Sequence, residues 1–263
     1  MYSAAEYVNS LLIDDRISPH DTMFAGDPKH YFHVSRSDCL AIVNVLGARS
    51  SYDGGSSPVV DIYDFGCGYG RVTRSIRAAF PAANIYVTDL DDQAVQWCER
   101  TFGCISTKGE IPSGNFDLIW LGSVFTHLPK AASATLLSRC LAGLAPNGVL
   151  AFTTQGRFSF ERMRDFDWVN DEREWVHYNL DRERFMIVSE GYQSSGYGYV
   201  DYPMQNDYGV CIASPSWYAE QAFSNGEYIQ VFFQEKGADN HQDVIAFMRK
   251  SVLDTTKARH LWR

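Results

Sequence analysis

The sequence predicts an α/β protein: a seven-stranded, mainly parallel sheet, strand order 3-2-1-4-5-7-6 with the last strand antiparallel, carrying an inserted cap. Three observations predict it. Short β-branched or aromatic runs alternate with helical patterns between residues 59 and 154, the signature of βαβ units. A glycine-rich turn joins the first strand to its helix. Two late strand patterns, Tyr228 to Gln234 and Asp243 to Arg249, are close enough to pair antiparallel at a sheet edge.

The elements follow in order. Tyr2 to Leu12 reads as a short amphipathic helix, interrupted by Glu6, Asn9 and Ser10, and not as a secretion signal. Arg36 to Leu46 has helical periodicity, with Gly47 as a stop and residues 50–57 as a flexible loop. Strand 1 covers Val59 to Phe65. A helix runs from Gly70 to Phe80, ended by Pro81. Asn84 to Thr88 is strand 2, Asp91 to Phe102 a helix, and Cys104 to Ser106 a short third strand. Phe116 to Leu121 is strand 4, Lys130 to Leu144 a helix, and Val149 to Thr154 strand 5 after a Pro146-Asn147-Gly148 turn. The rhythm breaks over 155–208, which is rich in aromatic and charged residues. That stretch is expected to be a cap over the C-terminal strand edge, with helices near Phe158–Arg164 and Asp181–Glu190. Ser214-Pro215 then opens another helix. One domain is expected over 1–263, with an N-terminal lid over about 1–50.

Composition narrows the class. The 263 residues carry 45% apolar and 21% charged side chains, so a folded core is expected. No run approaches a membrane span, and a cytoplasmic protein with no membrane partner is expected. The formal net charge is −9, which disfavours nucleic acid as a partner; the small basic cluster Lys257, Arg259 and Arg263 reads as a solvated tail. Cys39, Cys67, Cys98, Cys104, Cys140 and Cys211 form no C-x-x-C pair, so buried thiols and no metal site are expected.

The chemistry concentrates in Asp64-Phe65-Gly66-Cys67-Gly68-Tyr69-Gly70, where strand gives way to helix. Glycines there allow a tight turn and close approach of a ligand. The second strand ends in Asp89, roughly 20 residues on, where a carboxylate reaches a ribose edge. The order strand, loop, helix, strand, acid points to a nucleotide-like ligand on a Rossmann-like fold. Dinucleotide folds want G-x-G-x-x-G facing a pyrophosphate; here Arg71 follows Gly70. Asp64 would repel a pyrophosphate and attract an ammonium. There is no Gly-Lys-Ser or Gly-Lys-Thr, and no lysine has a tyrosine four residues before it, as short-chain dehydrogenases require.

The sequence resembles the class I S-adenosylmethionine-dependent methyltransferases. The resemblance rests on Asp64 to Arg71, on Val87-Thr88-Asp89-Leu90, on Phe116-Asp117-Leu118-Ile119-Trp120 with Ser123-Val124-Phe125-Thr126-His127-Leu128, and on Leu144-Ala145-Pro146-Asn147-Gly148-Val149-Leu150. It covers about residues 30–250. It looks most like small stand-alone bacterial enzymes with a Tyr31-Phe32-like N-terminal segment and an ending like His241-Gln242-Asp243-Val244.

The resemblance implies S-adenosyl-L-methionine as cofactor. Asp64 and Gly66 to Gly70, with Cys67 among them as a small filler, would hold its methionine end. Asp89 would hold the ribose, and Leu90 would pack near the adenine. Relatives often place an acid or amide after the third strand. Ile105-Ser106-Thr107 stands there instead, so Ser106 is the expected adenine contact. Ser123, at the exit of strand 4, and Tyr31, in the lid, complete the expected cofactor set; Tyr31 and Phe32 equally suit core packing. His127 and, second, His33 are the candidate bases for a hydroxyl acceptor. The alternative for His127 is a histidine that caps the next helix or satisfies the core, and His177 and His241 are weaker candidates. Trp168, Trp175, Tyr178, Tyr197, Tyr199 and Tyr202 would line an acceptor pocket or pack the cap. No Asn/Asp-Pro-Pro-Tyr/Phe follows strand 4, which lowers the case for base methylation in DNA or RNA. The expected reaction is methyl transfer to a small molecule, at a hydroxyl of a sugar or secondary metabolite. A non-catalytic or regulatory binding module is the alternative, and an NAD(P)-dependent oxidoreductase is less favoured.

Overall fold

The computed structural model describes residues 3–55, 57–165, 180–224 and 226–250. Trp168, Trp175, His177, Tyr178 and the basic tail residues lie outside the described residues. Two helices, α1 (Ala4–Ser10) and α2 (Pro28–Asp53), precede β1 (Asp61–Phe65), α3 (Thr73–Ala79), β2 (Asn84–Thr88), α4 (Asp92–Phe102), β3 (Ile105–Ser106), β4 (Phe116–Leu121), α5 (Lys130–Gly143) and β5 (Leu144–Thr154). After these come α6 (Arg157–Arg164), α7 (Arg182–Ser195), β6 (Tyr197–Asp201), β7 (Gly209–Ala213), α8 (Pro215–Phe223), β8 (Tyr228–Ala238) and β9 (Gln242–Arg249). No described helix is long and apolar enough to cross a membrane.

The main sheet has the order β3-β2-β1-β4-β5-β9-β8; since β6 and β7 form a separate sheet, β8 and β9 are its sixth and seventh strands, and this is the expected order 3-2-1-4-5-7-6. Strands β1 to β5 are parallel, and β9 runs antiparallel to β5 and β8. Each central strand is buried on both faces, and period-two alternation sorts its side chains. Ile62, Leu118, Trp120, Val149, Ala151, Val244 and Ala246 join the core under α2, α3 and α4. Tyr63, Ile119, Leu121, Leu150, Phe152, Ile245 and Phe247 join the core under α5 and α8. That is why these strands read as near-continuous apolar runs.

Three expectations change. Gly47 does not stop the helix, and residues 50–53 are not a loop: α2 runs to Asp53 and ends on Gly54, at φ +68°. A mid-helix glycine costs about 1 kcal/mol, and the buried face from Tyr31 to Arg49 outweighs it. An Arg49–Asp53 ion pair, 3.5 Å apart, adds to the last turn. The strand after Gly143 begins at Leu144, before the Pro146 turn rather than after it; a register shift between Phe116 and Leu118 absorbs the extra residues. Finally, a second, two-stranded sheet of β6 and β7 was not anticipated, and it runs past residue 208. Glycines permit its close packing: a Cβ on Gly198 would stand 1.9 Å from the Val188 carbonyl oxygen, and one on Gly209 equally close to that of Val200. Phe160, Met163, Phe185, Val188, Val210 and Ile212 form a separate small core there.

Candidate cofactor and acceptor site

Because β1, β2, β4 and β5 are parallel, their C-terminal ends share one edge. That edge gathers the loop 66–70, Asp89, Ser106, Gly122 and Ser123, and the β8–β9 turn. Gly66, Gly68 and Gly70 all have left-handed backbone, at φ +79°, +50° and +80°. Two are glycine because their surroundings leave no room: a Cβ on Gly66 would stand 2.7 Å from Val124 and one on Gly70 2.3 Å from Phe102. Gly68 differs, since a Cβ there would meet nothing within 4 Å. It is the point of the loop that faces open space.

Asp89 fixes the loop. Its Oδ2 accepts the Gly68 N–H at 2.8 Å and its Oδ1 the Asp91 N–H at 3.0 Å, leaving one lone pair on each oxygen for a hydroxyl. Leu90, the next residue, is 98% exposed. Ser106 is half-buried, its backbone N–H 3.4 Å from Glu99 Oε1. Cys67 is buried, and the nearby Cys98 thiol donates to the Gly68 carbonyl at 3.4 Å. No cysteine forms a disulfide. Among the described residues no group of three His, Cys, Asp or Glu is placed to hold a metal.

Asp64 lies behind the loop. It is buried, and its Oδ2 accepts the Thr73 hydroxyl at 2.6 Å. Burial pushes its pKa up to about 7, against the Thr73 hydrogen bond. Ser123 has φ +61°; its N–H donates to Thr153 Oγ1 at 2.7 Å and its hydroxyl to Gln242 Oε1 at 3.1 Å. Tyr31 is 1% exposed, and its hydroxyl donates to Asp21 at 2.6 Å.

Arg74, which the sequence reading passed over, ties this region together. Though 1% exposed, it donates to the carbonyls of Gly70, Asp14 and Arg16 and to the Tyr31 hydroxyl. Its guanidinium also stacks on Tyr31, Phe32 and Phe102. The N-terminal segment is thereby clamped onto the end of the glycine loop. The signal in the sequence was a cation among the apolar positions of a helix.

The two histidines sit apart. His33 is exposed on α2, its Nε2 3.4 Å from Asp239 of the β8–β9 turn. His127 is half-buried. Its ring stacks on Tyr208 with centroids 4.9 Å apart, and its Nδ1 lies 2.9 Å from the Gly209 carbonyl oxygen and 3.2 Å from the Tyr202 hydroxyl. The backbone is paired too, Gly209 N–H donating to the His127 carbonyl at 2.9 Å. Burial holds the His127 pKa below the ordinary histidine value. In the neutral ring an Nδ1–H donates to Gly209, leaving the lone pair on Nε2. The Asp89 carboxylate acts electrostatically on the Tyr208 phenol, so the β6–β7 connection reaches toward the loop. Tyr199 and Tyr197 hold the small sheet instead: Tyr199 donates to Asp201 at 2.5 Å and Tyr197 to the Leu128 carbonyl at 2.8 Å.

Residues 63–150, which span β1 to β5 and all of this loop edge, match a family model described as a methyltransferase domain. Over this span the chain is similar to the class I S-adenosylmethionine-dependent methyltransferases. It is 30% identical over 145 residues to malonyl-[acyl-carrier protein] O-methyltransferase of Halalkalibacterium halodurans, covering 51% of this chain and 52% of that protein. It is 25% identical over 167 residues to carboxy-S-adenosyl-L-methionine synthase of Shewanella baltica, covering 59% and 65%. The chain thus spans between half and two thirds of the length of these curated relatives. In fold it is similar to the PH0226 protein of Pyrococcus horikoshii, with a TM-score of 0.54 at 12% identity, covering 89% of this chain and 97% of that chain.

Proposed function

We propose that the chain transfers a methyl group from S-adenosyl-L-methionine to a small-molecule acceptor, at a hydroxyl of a sugar or secondary metabolite. The observation that carries the reading is the loop 66–70, open at Gly68 and pinned by Asp89. It offers a glycine cradle and a ribose acceptor on adjoining strands, with Leu90 free to cover a base. Bound there, the cofactor supplies a sulfonium-activated methyl.

The chain's own task is to align an acceptor and exclude water, a proximity effect. His127, Tyr202 and Tyr208 form the acceptor wall. His127 is neutral at pH 7 because burial disfavours its charge, and its Nε2 removes the acceptor proton, worth roughly 10²- to 10⁴-fold in rate. The H. halodurans relative bears the name of an O-methyltransferase, which supports oxygen as the acceptor atom. The net charge of −9 weighs against a polyanionic substrate. Methyl-labelled cofactor incubated with panels of hydroxylated small molecules tests the reading. Label should pass to a small product, with one S-adenosylhomocysteine formed per methyl. Tight cofactor binding without transfer to any acceptor class would favour the non-catalytic binding module.

A further inference from the structure

Asp38 occupies a core position of α2, in register with Val34, Ala41, Ile42 and Val45. It is 6% exposed. A carboxylate so enclosed ordinarily accepts hydrogen bonds, yet among the described residues no donor bonds to it: burial and neighbouring charges alone act on it. Those charges are Arg71, which favours its ionised form, and Asp239 and Asp64, which oppose it. A second orphan lies beside it. The Trp120 indole Nε1 is buried with no partner. Both face one point, since a Cβ on Gly122 would stand 3.4 Å from Asp38 Oδ2 and 3.1 Å from Trp120 Nε1. Gly122 directly follows β4, at the strand edge where the glycine loop also ends. An anionic acceptor and a neutral N–H donor thus meet at that edge with their hydrogen-bonding capacity unspent.

We propose that Asp38 and Trp120 bind the amino-acid end of the cofactor, with the Asp38 carboxylate accepting from its α-ammonium and the indole N–H donating to its carboxylate. This rests on the cofactor reading above and assigns the ammonium to a residue outside the glycine motif. The motif's own acid, Asp64, already accepts from Thr73 behind the loop. An ammonium carries three donors and no acceptor, which matches a buried carboxylate lacking donors of its own. A zwitterion also suits the charges here, an acid whose ionised form Arg71 favours electrostatically, better than a lone cation or anion does.

Calorimetric titration with three probes tests it: S-adenosylhomocysteine, its analogue lacking the α-amino group, and 5′-methylthioadenosine, which has no amino-acid end. The native protein should bind S-adenosylhomocysteine at least tenfold more tightly than the desamino analogue. Asp38→Asn should weaken S-adenosylhomocysteine tenfold or more, leave 5′-methylthioadenosine within twofold, and abolish discrimination against the desamino analogue. Equal binding of the two homocysteine ligands by the native protein would overturn the inference, and that comparison holds even if the variant fails to fold. So would a folded Asp38→Asn variant that loses all three ligands by one factor, or none, as expected if a water merely bridges Asp38 and Trp120. A native protein that binds none of the three overturns the cofactor reading itself, and this inference with it.

Discussion

At the scale of single residues, His127 is both brace and candidate base, and the two roles separate by substitution. In His127→Asn the side-chain amide keeps a donor for the Gly209 carbonyl, so the hairpin stays tied while the Nε2 lone pair is lost. Turnover should fall about 10²-fold or more with cofactor affinity barely changed. Activity of the native protein should rise with pH through the range where His127 loses its proton, which burial places below the ordinary value near 6.5. A variant that loses stability and cofactor binding together, yet keeps its turnover at saturation, would make His127 structural. Asp89→Ala removes the acceptor for both the ribose and the Gly68 N–H. At about 1.5–3 kcal/mol for each hydrogen bond to a charged group, S-adenosylhomocysteine affinity should drop at least tenfold in a titration; a change within twofold would refute the ribose assignment. Three buried acids set the pH dependence of stability. Burial pushes Asp38 and Asp64 up to about 7 and Asp243 to about 6, against about 3.9 in an unfolded chain. Between those values the folded state holds more protons than the unfolded state, so stability falls as pH rises through the window. The cofactor-free protein should therefore melt at a higher temperature at pH 6 than at pH 8. A midpoint that climbs over that interval would contradict the burial of these acids.

At the scale of elements, the glycine loop makes a paired prediction. Gly70→Ala forces a Cβ into Phe102 from a left-handed backbone. Overpacking and strain together cost at least about 2 kcal/mol, and the melting midpoint should fall by roughly 5 °C or more. Gly68→Ala meets no neighbour, so it should cost only the backbone strain, about 1–2 kcal/mol, while weakening cofactor binding far more than stability. The same loop was legible in the sequence, because a glycine run between an apolar strand and a helix has few other meanings. Helix α2 was not. Its Gly47 reads locally as a stop, and only the tertiary burial of Tyr31 through Arg49 keeps the helix going. Asp38 was passed over for the opposite reason: an acid on an apolar stripe is visible in the pattern, but its lack of a partner appears only in three dimensions. The β6–β7 sheet was illegible because glycine-dependent backbone contacts, not apolar alternation, define it.

At the scale of the whole molecule, period-two sorting of buried side chains onto two faces explains why strand order could be read from the chain. A parallel sheet leaves its strand ends on one edge, so the loop, Asp89 and the β4 exit had to converge. What the linear pattern could not supply was the way the N-terminal segment is clamped by Arg74 and the reach of the β6–β7 connection toward Asp89. The central claim is that this edge holds a nucleoside with an amino-acid tail and no pyrophosphate. Side-by-side calorimetric titration of the native protein with S-adenosylhomocysteine and with NAD tests it most directly. One equivalent of S-adenosylhomocysteine should bind with saturable heat and NAD should give none, whereas binding of NAD in preference to S-adenosylhomocysteine would contradict it.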